Sequence, residues 1–189
     1  MTDTTTSPST LVATAAARTG TAWIAGGAAW LVAGLLHADN GWRFDTAALL
    51  WLLADLFIAA GIVGLFILRP HGHSGIGTAA LVLALIARAA FAGGEIASII
   101  EGSDEGLLIP LGALLTAVAM TAYGTIVLRQ HHIEGPGRWS FLVMGIYPFI
   151  AMFPVLAITG EPSYVLIAGW GLPAMFIGFA TLSQRIHTQ

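Results

Sequence analysis

The chain has 189 residues, 57% of them hydrophobic and 9% charged, with a net charge of -3 and a mean hydropathy of +0.83. A soluble domain carries about a quarter charged residues, so water is excluded as the main solvent of this chain. The absence of cysteine excludes disulfides, thiolate metal sites and cysteine nucleophiles, and the acidic balance without a basic patch argues against nucleic acid as a partner.

Residues 1–20, "MTDTTTSPSTLVATAAARTG", are rich in Thr and Ser and lack the basic start of a secretory signal. They are expected to form a short disordered cytoplasmic tail, with the span after them retained. Six apolar stretches follow, at residues 21–38, 46–68, 76–100, 107–128, 139–158 and 164–182. Each is close to the 20 or so residues that cross a hydrocarbon core of roughly 30 Å. The expected fold is all-α: a polytopic membrane protein whose six transmembrane helices form one bundle over residues 21–183, followed by a cytoplasmic tail at 184–189.

In span one, Trp23, Trp30 and His37 recur every seven residues and share a face, a pattern that reads as packing or an interfacial belt. His37 has no counterpart at similar depth on another span, which argues against a bis-histidine haem, and no cofactor is expected. Gly26, Gly27 and Gly34 in span one, Gly61 and Gly64 in span two, and Gly93 and Gly94 in span three allow close backbone approach. Pro148, Pro154 and Pro173 remove helical hydrogen bonds from spans five and six, and so predict kinks there.

Six spans put the N-terminus, the second and fourth loops and the C-terminus on one side. Those segments hold Arg18, Arg69, Arg129, Arg138 and Arg185, whereas the other three loops hold only Arg43. The positive-inside rule then makes both termini cytoplasmic, in the inner or plasma membrane. The opposite loops carry Asp39, Asp45, Glu101, Asp104, Glu105 and Glu161, so the outer mouth is acidic.

The second and fourth loops read "LRPHGHSGIG" and "LRQHHIEGPG". At an offset of sixty positions, Gly64 matches Gly124, Leu68 matches Leu128, Arg69 matches Arg129, His71 matches His131, Gly75 matches Gly135 and Gly77 matches Gly137. The last span ends similarly, at Arg185 and His187. Three parallel helical hairpins are the expectation, each leaving the membrane through basic residues that complement the negative helix end. A transition metal held by His71, His73, His131 and His132 is the alternative. These loops lack the rigid helical spacing and the orienting carboxylates of such a site.

Three ionisable residues lie where lipid disfavours them: Asp55 in "LLADLFIAAG", and Arg88 and Glu95 in "IARAAFAGGEIAS". At about 1.5 Å per residue, Asp55 lies roughly 13 Å and Arg88 roughly 18 Å below the outer end, a gap that an arginine side chain closes. Glu95 follows Arg88 by two turns on the same face and lies nearer the surface. The three are candidates for a ligand, ion or proton site, or alternatively for a structural ion pair with Glu95 reaching water. Thr116 and Tyr147, at similar depths on spans four and five, are candidate hydroxyl donors to that site.

No HExxH, GxSxG, phosphate loop or paired intramembrane histidines appear, so any catalysis would rest on the same three charges. The layout, with "GPGRW" at residues 135–139 opening the fifth span, resembles small uncharacterised six-span bacterial integral membrane proteins. That resemblance implies fold and membrane location, and no catalytic residue. Two functions follow: transport or sensing of a small molecule, cation or proton through a buried polar site, or a structural or accessory subunit of a membrane complex. The partners to match are the lipid bilayer, a small ligand, and a membrane-protein partner or second copy.

Overall fold

Hydrocarbon offers no hydrogen bonds, so a chain crossing it must satisfy its backbone internally, and a helix does so within one segment. A computed structural model of the protein describes residues 8–38, 44–101, 106–133 and 135–183. These residues form α1 (Pro8–Ala38), α2 (Phe44–Leu68), α3 (Gly75–Glu101), α4 (Leu108–Gln130), α5 (Trp139–Tyr147), α6 (Phe153–Thr159), α7 (Tyr164–Gly169) and α8 (Gly171–Ser183). A 3-10 turn over Pro136–Arg138 leads into α5, and a π turn over Pro148–Met152 joins α5 to α6. Six stretches are long and apolar enough to cross a membrane: Thr10–Ala38, Thr46–Leu68, Gly75–Glu101, Leu108–Gln130, Pro136–Thr159 and Tyr164–Ser183. The protein is an all-α, six-span integral membrane protein, with no strand among the described residues.

Each span packs on its neighbours in sequence, and α8 returns to α1, closing a ring. The closing seam is built from small residues at heptad spacing. A Cβ on Gly20 would lie 2.8 Å from the Gly178 carbonyl oxygen, and one on Gly27 would lie 2.6 Å from that of Gly171. Gly34 meets the Ala168 Cβ in the same way, at 2.6 Å. Without a hydrophobic drive between helices in lipid, this close van der Waals approach is what holds the seam. Outward faces carry Leu35, Leu56, Ile86, Val118, Val143 and Phe179, all exposed, as a lipid-facing surface requires.

Helix α1 starts at Pro8, so residues 8–20 of the expected disordered tail are helical, and residues 1–7 lie outside the described part. Pro8 suits a first helical turn, and Ala13, Ala15, Ala16 and Ala17 favour helix. Ala16 and Thr19 are buried, which makes this stretch part of the bundle rather than a tail. The second expected tail, residues 184–189, lies outside the described residues.

The two matched loops end their helices differently. Pro70 disfavours a helical residue before it, so α2 stops at Leu68 and Arg69 takes a left-handed φ of 49°. Gln130 stands where Pro70 would fall, α4 runs on through it, and His131 takes the left-handed cap with φ 53°. His71 is buried and its counterpart His131 is exposed. Arg185 and His187 lie outside the described residues. Pro148 and Pro154 flank the π turn, as the kink expected in span five. In span six the break falls at Trp170, and Pro173 sits in the first turn of α8, where a missing N–H costs little.

Candidate functional site

At mid-membrane, α2, α3 and α4 each contribute one polar side chain to a single cluster. The Arg88 guanidinium donates through Nη1 to Asp55 Oδ1 at 2.7 Å and through Nη2 to Thr116 Oγ1 at 2.5 Å. Asp55, Arg88 and Thr116 are 1%, 2% and 1% exposed. The pairing of Asp55 with Arg88 and the approach of Thr116 match the depth arithmetic. Glu95 is not in this cluster. Asp55 Oδ2 and Arg88 Nε have no hydrogen-bond partner among the described residues.

Three rings cover the guanidinium. Its carbon lies 4.3 Å from the Phe91 ring centroid, 5.4 Å from Trp30 and 5.5 Å from Trp170. The ring quadrupoles offset part of the cost of removing the charge from water. Trp30 is the hub of this layer, with edge-to-face contacts to Trp51 at 4.7 Å, Phe91 at 5.4 Å and Trp170 at 5.6 Å. Phe91 stands one turn from both Arg88 and Glu95, and Trp51 one turn before Asp55, so the aromatic layer continues the stripes that carry the charges.

The indoles and the Tyr147 hydroxyl are held by carbonyls at the breaks in spans five and six. Pro148 has no N–H to give Met144, four residues back, and the Trp170 indole donates to the Met144 carbonyl at 2.7 Å. At the break in span six, the Trp170 N–H turns to Ile167 at 3.1 Å instead of Leu166. The Tyr147 hydroxyl then donates to the Leu166 carbonyl at 2.9 Å, and the Trp30 indole to that of Ile167 at 2.8 Å. Tyr147 is therefore a strut between spans five and six and does not reach the Asp55 cluster.

Beyond the aromatic layer lies a cavity of about 380 Å³ at the end of the bundle holding the connections after α1, α3 and α6. Its walls include Trp30, Trp51, Phe91 and Trp170, with Met152, Phe153 and Leu156 on span five and Ile109, Pro110 and Ala113 on α4. The polar lining is Glu95, His37, Ser163 and Tyr164. Glu95 is 7% exposed, and the His37 ring stacks on Tyr164 at 3.8 Å with 15° between planes. Asp55 and Arg88 do not line the cavity. The expected ladder of three charges is thus split by a floor of rings, with the ion pair below and the second carboxylate above.

At the opposite end, the four candidate metal ligands are used separately. His71 lies 3.3 Å from Thr78 Oγ1 and 3.4 Å from the Tyr123 hydroxyl, and His73 is exposed. Arg138 donates to His131 Nδ1 at 2.9 Å, while His132 lies over Gly72. No group of three or more His, Cys, Asp or Glu side chains is gathered for a metal among the described residues. Burial and the Arg69 charge both push the His71 imidazolium below its ordinary pKa.

No protein-family model, curated protein or solved structure matches the chain. Its chemistry is therefore read from its own geometry. Sequence reasoning found Asp55, Arg88, Glu95 and Thr116, and passed over Trp51, Phe91 and Tyr164. Phe91 and Trp51 carried a signal, since each lies one turn from a buried charge. Trp170 carried none, because the break in span six is what aims it.

Proposed function

We propose that the protein binds a small molecule in this cavity, as the recognition step of transport or sensing. The observation that carries the reading is a cavity of about 380 Å³ in which a mostly apolar wall, floored by aromatic rings, meets a buried carboxylate, Glu95. Small-ligand sites of roughly 300 to 1,000 Å³ share this makeup, an apolar lining with a few convergent polar groups. The Asp55–Arg88–Thr116 cluster serves as the foundation of the site: it ties α2, α3 and α4 together and fixes the rings of the floor.

Arg18, Arg69, Arg129 and Arg138 belong to the opposite side of the bundle, which supports a cavity opening to the outside. The accessory-subunit reading would draw support from small-residue grooves left for a partner. Gly20, Gly27, Gly34, Gly124 and Gly145 instead meet neighbouring spans of this chain.

Two measurements test the proposal. The native chain has no cysteine, so Ser163→Cys gives a single label site on the cavity wall. In intact cells a membrane-impermeant maleimide should modify it without permeabilisation. Labelling that requires permeabilisation overturns the outward orientation. Ala113→Phe, which fills the cavity from α4, should abolish small-molecule binding by the purified protein while leaving a cooperative melt. Binding unchanged by Ala113→Phe would remove the cavity as the site.

A further inference from the structure

We infer that the cavity opens sideways into the bilayer, between α4 and α6, and that its occupant is an amphiphile drawn from the surrounding leaflet. This rests on the cavity being a binding site and adds the phase from which the ligand comes. Span five is tight against α4 before the π turn, where Gly124 meets Leu142 and Gly145 meets Thr121. The π turn itself still approaches α4 and α7. Past it, α6 packs closely on no helix beyond that turn, and none of its residues is buried. A helix satisfies its own backbone, so α6 can stand apart in hydrocarbon at little cost. On one flank, residues 161–163 lead directly into α7, and the Tyr147 hydroxyl ties span five to span six. The flank toward α4 carries neither connection nor strut among the described residues, and the gap opens there.

The two rims of the gap are hydrocarbon throughout. Residues 107–113 and 149–158 hold no polar side chain. Leu107, Pro110 and Leu156 line the cavity and are exposed, and beside them Leu108, Leu111 and Ile158 are exposed too. The lipid-facing surface of spans four and five thus continues into the cavity without a polar break, a path that suits an apolar group and opposes a hydrated one. Depth agrees. Trp30 lies roughly 12 Å inside the end of α1 and Phe91 roughly 15 Å inside the end of α3, so the cavity spans about one leaflet of a hydrocarbon core of roughly 30 Å. Its wall is graded as a leaflet is, with His37, Ser163 and Tyr164 at the end of the bundle and the rings as its floor. A molecule with a polar head and an apolar body, oriented as lipids are, matches that order. A volume of about 380 Å³ suits a compact or single-chain amphiphile.

The test uses the full chain in nanodiscs of phosphatidylglycerol, with Trp42→Phe and Trp139→Phe so that the buried indoles of Trp23, Trp30, Trp51 and Trp170 alone fluoresce. The probe is ω-bromododecanol, whose bromine quenches an indole on contact, and bromopropanol is its water-soluble counterpart. The long probe should quench saturably and the short one should not. For the route, Pro110→Cys and Leu156→Cys are joined by a reducible bis-methanethiosulfonate spacer, the native chain having no cysteine. The joined protein should take up the long probe at least about tenfold more slowly, and reduction should restore the rate. The same thiols capped with methyl methanethiosulfonate should leave it unchanged. Discs of phosphatidylglycerol with brominated chains distinguish the source. Quenching without probe assigns the cavity to a lipid chain and its absence to a free amphiphile, and either outcome supports the inference. Quenching by the short probe as strong as by the long, or uptake slowed no more by the spacer than by the caps, overturns it while leaving the cavity as the site. Quenching that a second copy per disc abolishes assigns the gap to a dimer and overturns it as well. No quenching by either probe or by the brominated lipid overturns both readings.

Discussion

The cavity end and the histidine end of this bundle are built from the same spans, yet one is hollow and the other full. The hollow end is not short of side-chain bulk: Trp30, Trp51, Phe91 and Trp170 stand there, against Tyr123, Phe141, Met120, Met144 and Leu65 in the filled end. The backbone makes the difference. Between α4 and span five, the close approaches are Gly124 on Leu142 and Gly145 on Thr121, both on the histidine side of Pro148. Past the π turn, Met152, Phe153 and Leu156 face Ile109, Pro110 and Ala113 across open space. A void in a tightly packed helix bundle comes from helices that change course, and larger residues then line it without closing it.

The strongest way to break that picture is to remove its foundation. Asp55→Asn or Arg88→Gln strands or unbalances a charge in low dielectric, and each should cost about 3 to 5 kcal/mol, whereas the double variant should cost far less. Melting temperatures in detergent measure this, and equal, additive losses would show that the pair is not coupled. A smaller effect tests the backbone argument itself. Trp170→Phe keeps a ring but leaves the Met144 carbonyl without its donor, a loss of about 1 to 3 kcal/mol. Pro148→Ala returns an N–H to that carbonyl, so in its background Trp170→Phe should cost clearly less. Unchanged cost would mean that the indole does not stand in for the missing helical bond.

The closing seam sharpens the filled side of the comparison. Gly27→Ala drives a methyl to within 2.6 Å of the Gly171 carbonyl oxygen and should cost about 1 to 3 kcal/mol. Gly93→Ala meets only a Leu108 methyl at 3.6 Å, and it should be neutral or up to about 1 kcal/mol stabilising. Unfolding of the two variants compares them directly, and similar losses would deny the seam its special tightness. The smallest effect is at the histidine end. His71 binds its proton less readily folded than unfolded, because of burial and then Arg69, so the unfolded chain takes up more protons as pH falls below 6.5. Its contribution is therefore present above that pH and is lost below it. Amide protection across residues 69–78, taken relative to the intrinsic exchange rate at each pH, should fall on acidification in the wild type and stay constant in His71→Gln.

Much of this was legible in the chain. Length of apolar run decides membrane spans almost by itself: six were read, five of them at nearly their observed limits, while the first begins at Thr10 rather than at residue 21. Asp55, Arg88 and Thr116 met as depth along straight helices predicts. Depth is silent about rotation, and that is where Tyr147 went astray: it sits at the edge of a π turn, and its hydroxyl bonds Leu166 on span six. The split between Glu95 and the pair was equally hidden, because it depends on Trp170 arriving from the far end of the sequence. The matched histidine loops carry a different lesson. Six shared letters produced two different helix ends because one unshared position, Pro70 against Gln130, controls where the helix stops.

The glycine seam between α1 and α8 also imposes an order on biogenesis. Its two sides are about 150 positions apart in sequence, so α1 is synthesised well before the residues that Gly20, Gly27 and Gly34 meet in the folded bundle. Spans two to five can dock in turn, each onto a neighbour already in place. The ring shuts only when the last span arrives, and until then the narrow cleft on α1 lies open to lipid. Quality control in the membrane thus has one late event to monitor, the docking of Gly171 and Gly178 onto a helix made first.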